Sequence, residues 1–425
     1  MKRFLLCLLL AALSLPITAQ VLQTLSKPEI AGFSSERLQM LTRSLQSWVN
    51  EERMPGGEVL LLRKGKIVYQ QAVGYTDVAK KAPLAVNQIY RIASQTKAIT
   101  SVAIMMLFED GKLLLDDPVG KYIPAFQKQT VLQNFNATDT TYTTVPARRP
   151  ITIRQLLTHT SGLGYAAIGS PEANAIYAKQ KLTPGLGVQD DNLLDAMNRL
   201  ATLPLMHQPG EKWTYGLNTD LLGCLVEVIS GQSLDAFFRQ RIFEPLGMYD
   251  TYFTVPAAKA NRLVTLHRED ANGRFVPATA QMLNQKLVTA EYALQPTTYF
   301  SGGAGLSSTT KDYGIFLQML LNGGSYNGKR LLSRNTVRMM TMNQIGELYV
   351  GGDKFGLGFR VVTESSSARL PNQPGTYSWG GAFATSYWVD PKEELVLLFY
   401  RQVQNTRNGD LPDRLLSLVY AALVD

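Results

Sequence analysis

Strand-like stretches lie at both ends of the chain, and that placement constrains the fold more than any other feature. Early on, Gly57 to Asp77 reads GEVLLLRKGKIVYQQAVGYTD, two β-rich runs around a Lys64-Gly65-Lys66 turn. Far downstream, FGLGFRVV, YSWGGAFATSYWVD and EELVLLFYR carry the same signature, and LPDRLLSLVYAALV reads as a closing helix. Between them, from about Leu115 to Phe300, helical patterns alternate with Pro/Gly-rich loops such as LLTHTSGLG and RIFEPLGM. DLLGCLVEVISG, Asp220 to Gly231, is apolar at helical spacing and stops on glycine. The pattern predicts one sheet assembled from both ends, an α/β (α+β) fold with helices flanking a predominantly antiparallel sheet. The sheet should draw on about 55–110 and 300–425, with a mostly helical lobe over 111–300. No internal repeat is visible.

At 425 residues, 45% hydrophobic and 18% charged, the chain can bury a large core. Its first residues, MKRFLLCLLLAALSLPITAQ, place Lys2 and Arg3 before an apolar run from Phe4 to Leu15. They read as a signal peptide over 1–19, cut after Ala19, with the folded domain over 28–425. The run is short for a bilayer span, so no stable membrane anchor is expected after cleavage and the protein should be exported, to the periplasm or beyond. Loss of Cys7 would leave Cys224 alone, so no internal disulfide is expected. The formal charge of +8 falls to +6 without Lys2 and Arg3 and is spread along the chain. That distribution argues against nucleic-acid binding.

Which chemistry remains follows from what is missing. The three histidines, His159, His207 and His267, accompany no Gly-x-Ser-x-Gly elbow. His159 reads as a structural histidine, and His207 and His267 as surface residues. There is no His-Glu-x-x-His and no cysteine pair, and Asp116-Asp117 reads as a solvated loop, so neither a metal nor a cofactor is implied. A serine activated by something other than histidine is left. Ser-x-x-Lys occurs twice, at Ser94-Gln-Thr-Lys97 and Ser308-Thr-Thr-Lys311. Ser94 precedes AITSVAIMMLF, a helix apolar almost all round that Gly111 should stop. Free N–H groups at that helix start would stabilise an oxyanion, and Lys97 would face the same way in a desolvated setting. At the second match, Thr309 and Asp312 have capping spacing, which places Lys311 in an exposed first turn. Ser94 is the better nucleophile.

With that motif placed, PGEKWTYGLNTDLLGCLVEVISGQSLDAFFRQRIFEPLGM, GGAGLSSTTKDYGIFLQMLLNGG and YSWGGAFATSYWVDPKEEL resemble, in order, later parts of the serine β-lactamase and penicillin-binding-protein superfamily. The likeness runs from about Ile30 to the C-terminus and is strongest for the class C branch and its esterase relatives. It implies the β-lactamase/transpeptidase-like fold, acylation of Ser94, and proton handling by Lys97 and Tyr215. Two departures stand out. Leu217 stands where β-lactamases carry Asn in Tyr-x-Asn, and Asn218, one residue late, should point elsewhere. Trp379-Gly380-Gly381 replaces Lys-Thr-Gly, with the Ala382 N–H available to complete an oxyanion hole with that of Ser94. Losing the lysine forfeits a charge-assisted contact to a substrate carboxylate, about 1.5–3 kcal/mol. Trp379 would favour neutral or apolar acyl groups, as in the β-lactamase-like carboxylesterases called family VIII. The alternatives are a loop or core tyrosine at 215 and a core tryptophan at 379.

Three functions fit: a carboxylesterase on small to medium esters through acyl-Ser94, a β-lactamase or D-alanyl-D-alanine carboxypeptidase or D-aminopeptidase, and a non-catalytic penicillin-binding-like protein. The first two act on a small-molecule ester or amide. The departures at 217 and 379 favour the esterase.

Overall fold

The computed structural model describes residues 22–283 and 286–425; the segment read as a signal peptide lies outside them. Helix α1 (Ser35–Asn50) is capped by the Ser34 side chain and leads into β1 (Gly56–Arg63) and β2 (Lys66–Asp77). The turn between the strands holds Lys64 at φ 52° and Gly65 at φ 73°, the pair of positive angles that suits the twist of a tight hairpin. Helix α2 (Thr96–Glu109) follows, and Gly111 at φ 69° stands just past its end. Further on come α3 (Asn218–Ser230), α4 (Thr310–Leu321), β3 (Tyr377–Gly381), β4 (Thr385–Asp390), β5 (Leu395–Tyr400) and α5 (Leu411–Tyr420).

These strands form one nine-stranded sheet whose centre runs β2-β1-β5-β4-β3, antiparallel throughout. Among the described residues only Gln23–Thr24 joins parallel, beside β2. Every residue of β1 is buried, because both sheet faces are covered. Val59 and Leu61 pack with Leu397 and Phe399 against α1 and α5, whereas Leu60, Leu62 and Leu398 face α4 with Tyr313 and Phe316. This is the period-two alternation of a strand, with both of its faces in a core. The fold is the β-lactamase/transpeptidase-like one.

One strand reading is corrected, and the lobe gains detail. FGLGFRVV is not one strand but two short ones, Lys354–Phe355 and Arg360–Val361, folded back through a tight turn in which the Gly356 N–H donates to Phe359 O (2.7 Å). The lobe also contains strand pairs, among them Thr130–Asn136 with Thr141–Pro146 and His267–Glu269 with Phe275–Pro277. Among the described residues no single helix is long and apolar enough to cross a membrane.

Candidate active site

Ser94 sits in a single 3-10 turn, Ala93–Gln95, that feeds directly into α2. The turn is fixed from beneath. Tyr313 of α4 donates its hydroxyl to Gln95 O (2.7 Å), and Tyr400 of β5 donates to Gln95 Oε1 (2.5 Å). Thr96 Oγ1 bonds back to Ala93 O (2.7 Å) and accepts the Leu306 N–H (3.1 Å). Ala93, at φ 44° and fully buried, takes a left-handed conformation unusual for a residue with a Cβ, so tertiary contacts hold it there.

Lys97 lies one turn along α2, 2% exposed. Its Nζ reaches Gly303 O (2.7 Å), Tyr165 Oη (2.9 Å) and Ser94 Oγ (3.3 Å), which is a full set of partners for an ammonium. Tyr215 Oη lies 2.8 Å from Ser94 Oγ, and Lys97 Nζ stands 4.8 Å from the Tyr215 ring centroid. The three residues singled out from the sequence therefore converge on one oxygen.

Tyr215 owes its place to close backbone packing. A Cβ on Gly216 would lie 2.0 Å from Leu163 O, so only glycine lets this loop dock on the 161–165 segment. The Leu217 N–H then donates to Gly164 O (3.0 Å) and the Thr214 N–H to His159 O (2.8 Å). The same docking carries Tyr165 to Lys97, a residue that sequence reasoning missed because nothing in SGLGYAAIGS marks it. Burial, then the neighbouring Tyr215 and Asp220, push the Tyr165 phenol well above its ordinary range, so it stands as a neutral hydroxyl.

Leu217 is fully buried in the core and contributes nothing to the site. Asn218 is buried as well, its Oδ1 taking the Ser161 hydroxyl (2.5 Å) and its amide donating to His159 Nδ1 (3.0 Å). Its side chain is thus engaged by Ser161 and His159. His207 and His267 are corrected: both are buried, not on the surface. His207 bridges Gln208 O and Thr214 Oγ1 (both 2.9 Å), bracing the residue before Tyr215. His159 packs 4.9 Å from the Tyr215 ring, and burial, then the Lys97 charge, hold it well below its usual value, so it is neutral.

Trp379 ends inside an aromatic group with Tyr215 (5.6 Å between centroids), Trp213 (6.5 Å) and Phe355 (5.4 Å). It both packs against the core and lines the cavity, so the two alternatives for this residue coexist. Gly380 and Gly381 follow on β3. A Cβ at Gly381 would stand 2.4 Å from Ile92 O, so glycine is required where β3 passes the Ser94 turn. Ser94 and Ala382 both line two cavities, one of about 470 Å³ bordered by Tyr215 and Trp379, the other of about 240 Å³ bordered by Tyr165 and Phe383. Among the described residues no cluster of His, Cys, Asp and Glu could hold a metal.

The second Ser-x-x-Lys lies elsewhere in function. Thr309 accepts the Asp312 N–H (3.1 Å) as the cap of α4, and Ser308 Oγ pairs with Thr251 Oγ1 (2.8 Å). Lys311 is exposed.

A buried lysine and a tyrosine converging on a serine beside a glycine-rich strand define a serine hydrolase site. The Beta-lactamase family model matches residues 36–421, and the chain belongs to that family of serine hydrolases. It is 36% identical over 362 residues to the uncharacterised protein MT1414 of Mycobacterium tuberculosis, covering 82% of this chain and 86% of that protein. Esterase EstB of Burkholderia gladioli is 29% identical over 382 residues, 88% of this chain and 92% of its own. Among solved structures, EstCE1, described as a hydrolase with promiscuous acyltransferase activity, superposes with TM-score 0.77 at 26% identity, covering 91% of this chain and 99% of that one.

Proposed function

We propose that the protein is an exported carboxylesterase that cleaves small to medium esters through an acyl-Ser94 intermediate. The observation that carries the reading is the pair of bonds on Ser94 Oγ, from Tyr215 (2.8 Å) and Lys97 (3.3 Å), in a site whose third motif presents an indole where a lysine would bind carboxylate.

In this mechanism the Tyr215 oxygen, in its phenolate form, takes the Ser94 proton as Oγ attacks the ester carbonyl carbon. The Lys97 ammonium, held by Gly303 O and Tyr165, offsets the charge on both oxygens. The carbonyl oxygen becomes an oxyanion facing the N–H groups of Ser94 and Ala382. When the C–O bond breaks, Tyr215 gives its proton to the departing alcohol. Water then enters and loses a proton to Tyr215 as it attacks the acyl carbon; when the bond to Oγ breaks, Tyr215 returns that proton to Ser94 and the acid leaves. The cavity beside Tyr165, with Leu186, Ala304 and Phe383 in its wall, offers an apolar seat for the acyl group. Similarity to Esterase EstB supports the same reading.

Initial rates of purified protein on a short-chain p-nitrophenyl ester and on a chromogenic cephalosporin test it, with Ser94→Ala as blank. Fast ester cleavage with slow or absent lactam opening is expected. The reverse ranking would put the β-lactamase or peptidase reading first.

A further inference from the structure

Of the two cavities that share Ser94, the larger contains a cation. It runs from Tyr215 and Trp379 along β3 to Arg360. Arg360 pairs in register with Ser378, Ser378 with Trp388, and Gly380 with Ser386, so these residues present one face of the sheet. Gly380 has no side chain to block that face beside Trp379.

Arg360 is held by one end only. Its Nε forms an ion pair with Asp353, a completely buried carboxylate, while the side chain stays 46% exposed. Among the described residues its two terminal nitrogens make no hydrogen bond, and neither do the Asn372 amide and the hydroxyls of Ser378 and Ser386, which line the same cavity. The opposing charge is Asp413, at the start of α5; burial pushes its carboxyl up, against the pull of Arg360. A guanidinium anchored at Nε, with both terminal N–H₂ groups presented beside free hydroxyls, is built to hold a carboxylate through two parallel bonds.

Which half of a substrate meets it follows from the proton path, and so rests on the proposed function. Tyr215 borders the larger cavity and Tyr165 the smaller. The group that takes a proton from Tyr215 is the leaving alcohol, so the alcohol half occupies the Arg360 cavity. We propose that this groove selects esters whose alcohol half carries a carboxylate, bound by the terminal nitrogens of Arg360 with the Ser378 and Ser386 hydroxyls. The products are then a carboxylic acid and an anionic hydroxy acid. Trp379 removes the cation expected on one side of β3, and Arg360 supplies another from the neighbouring strand.

The test compares para-butanoyloxybenzoate with its neutral methyl ester, two substrates that share one acyl group. The variants are Arg360→Gln and the pair Arg360→Gln with Asp353→Asn, the second leaving no buried charge unpaired. The ratio of kcat/KM for the anionic over the neutral ester should fall about tenfold or more in both variants. An unchanged ratio, or equal loss on both esters, would overturn the proposal while leaving the esterase reading intact. Cleavage of neither ester would overturn both together. A peptide ending in D-alanyl-D-alanine forms a third arm, since its terminal carboxylate offers the same chemistry. Arg360-dependent cleavage of that peptide above the anionic ester would assign the groove to peptides and overturn the ester proposal.

Discussion

Lys97 has three partners, and Tyr165 is the one whose removal is cleanest. Tyr165→Phe deletes a single hydroxyl from a buried ring and leaves Gly303 O and Ser94 Oγ in place. The expected result is a fall in kcat of about tenfold, the worth of one hydrogen bond to a charged group, with KM little changed. Lys97→Ala and Tyr215→Phe should each lose about a hundredfold or more, since both act on the proton; steady-state kinetics on one ester ranks all three. An equal loss for Tyr165→Phe would make Tyr165 part of the proton path rather than a support. Ser94, Lys97, Tyr215 and Trp379 were legible because each stands in a motif with fixed spacing. Tyr165 and Arg360 were not, because each reaches the site through packing between segments far apart in sequence. The readings of His207 and His267 failed for the same reason: HRED looks charged and exposed, yet β-pairing buries His267 completely.

Two helices begin with Ser-x-x-Lys, and their surroundings separate them. Around Ser94 the helix is buried on nearly every side; around Ser308 the threonine between serine and lysine caps α4, and the lysine points to solvent. Thr309→Ala should cost about 1 kcal/mol of stability through the lost cap, and Lys311→Ala should leave both stability and ester turnover unchanged. Denaturant unfolding and initial rates check the pair; a large activity loss in Lys311→Ala would reopen the choice between the two serines. The β-rich runs around Lys64-Gly65-Lys66 and the helices ending on Gly111 and Gly231 were readable from sequence, because local chemistry dictates them. FGLGFRVV was misread as a single strand because its glycines turn the chain back at Gly356. A Cβ there would lie 2.0 Å from Met340 O, a contact only the folded molecule reveals.

At the scale of the whole molecule, the sheet assembled from both ends brings Tyr400 and Tyr313 under the Ser94 turn, so integrity of the fold and geometry of the nucleophile are linked. The fold also has a pH limit. Burial holds His267 down to about 4, against an ordinary value near 6.5. Between those values the unfolded chain takes up a proton that the folded one refuses. The stability that neutral His267 contributes is therefore complete above about pH 6.5 and lost as the pH falls toward 4. His267→Gln should flatten that part of the curve, seen as a shallower fall in Tm over the same window than in wild type. Parallel curves would contradict the assignment.

The central claim is that Ser94 carries the acyl group. Mass spectrometry of protein quenched during turnover of a p-nitrophenyl butanoate tests it most directly. The account predicts a gain of one butanoyl group on the peptide containing Ser94, absent in Ser94→Ala, whose Tm should match wild type. Turnover undiminished in Ser94→Ala, or a butanoyl group on any other residue, would contradict it.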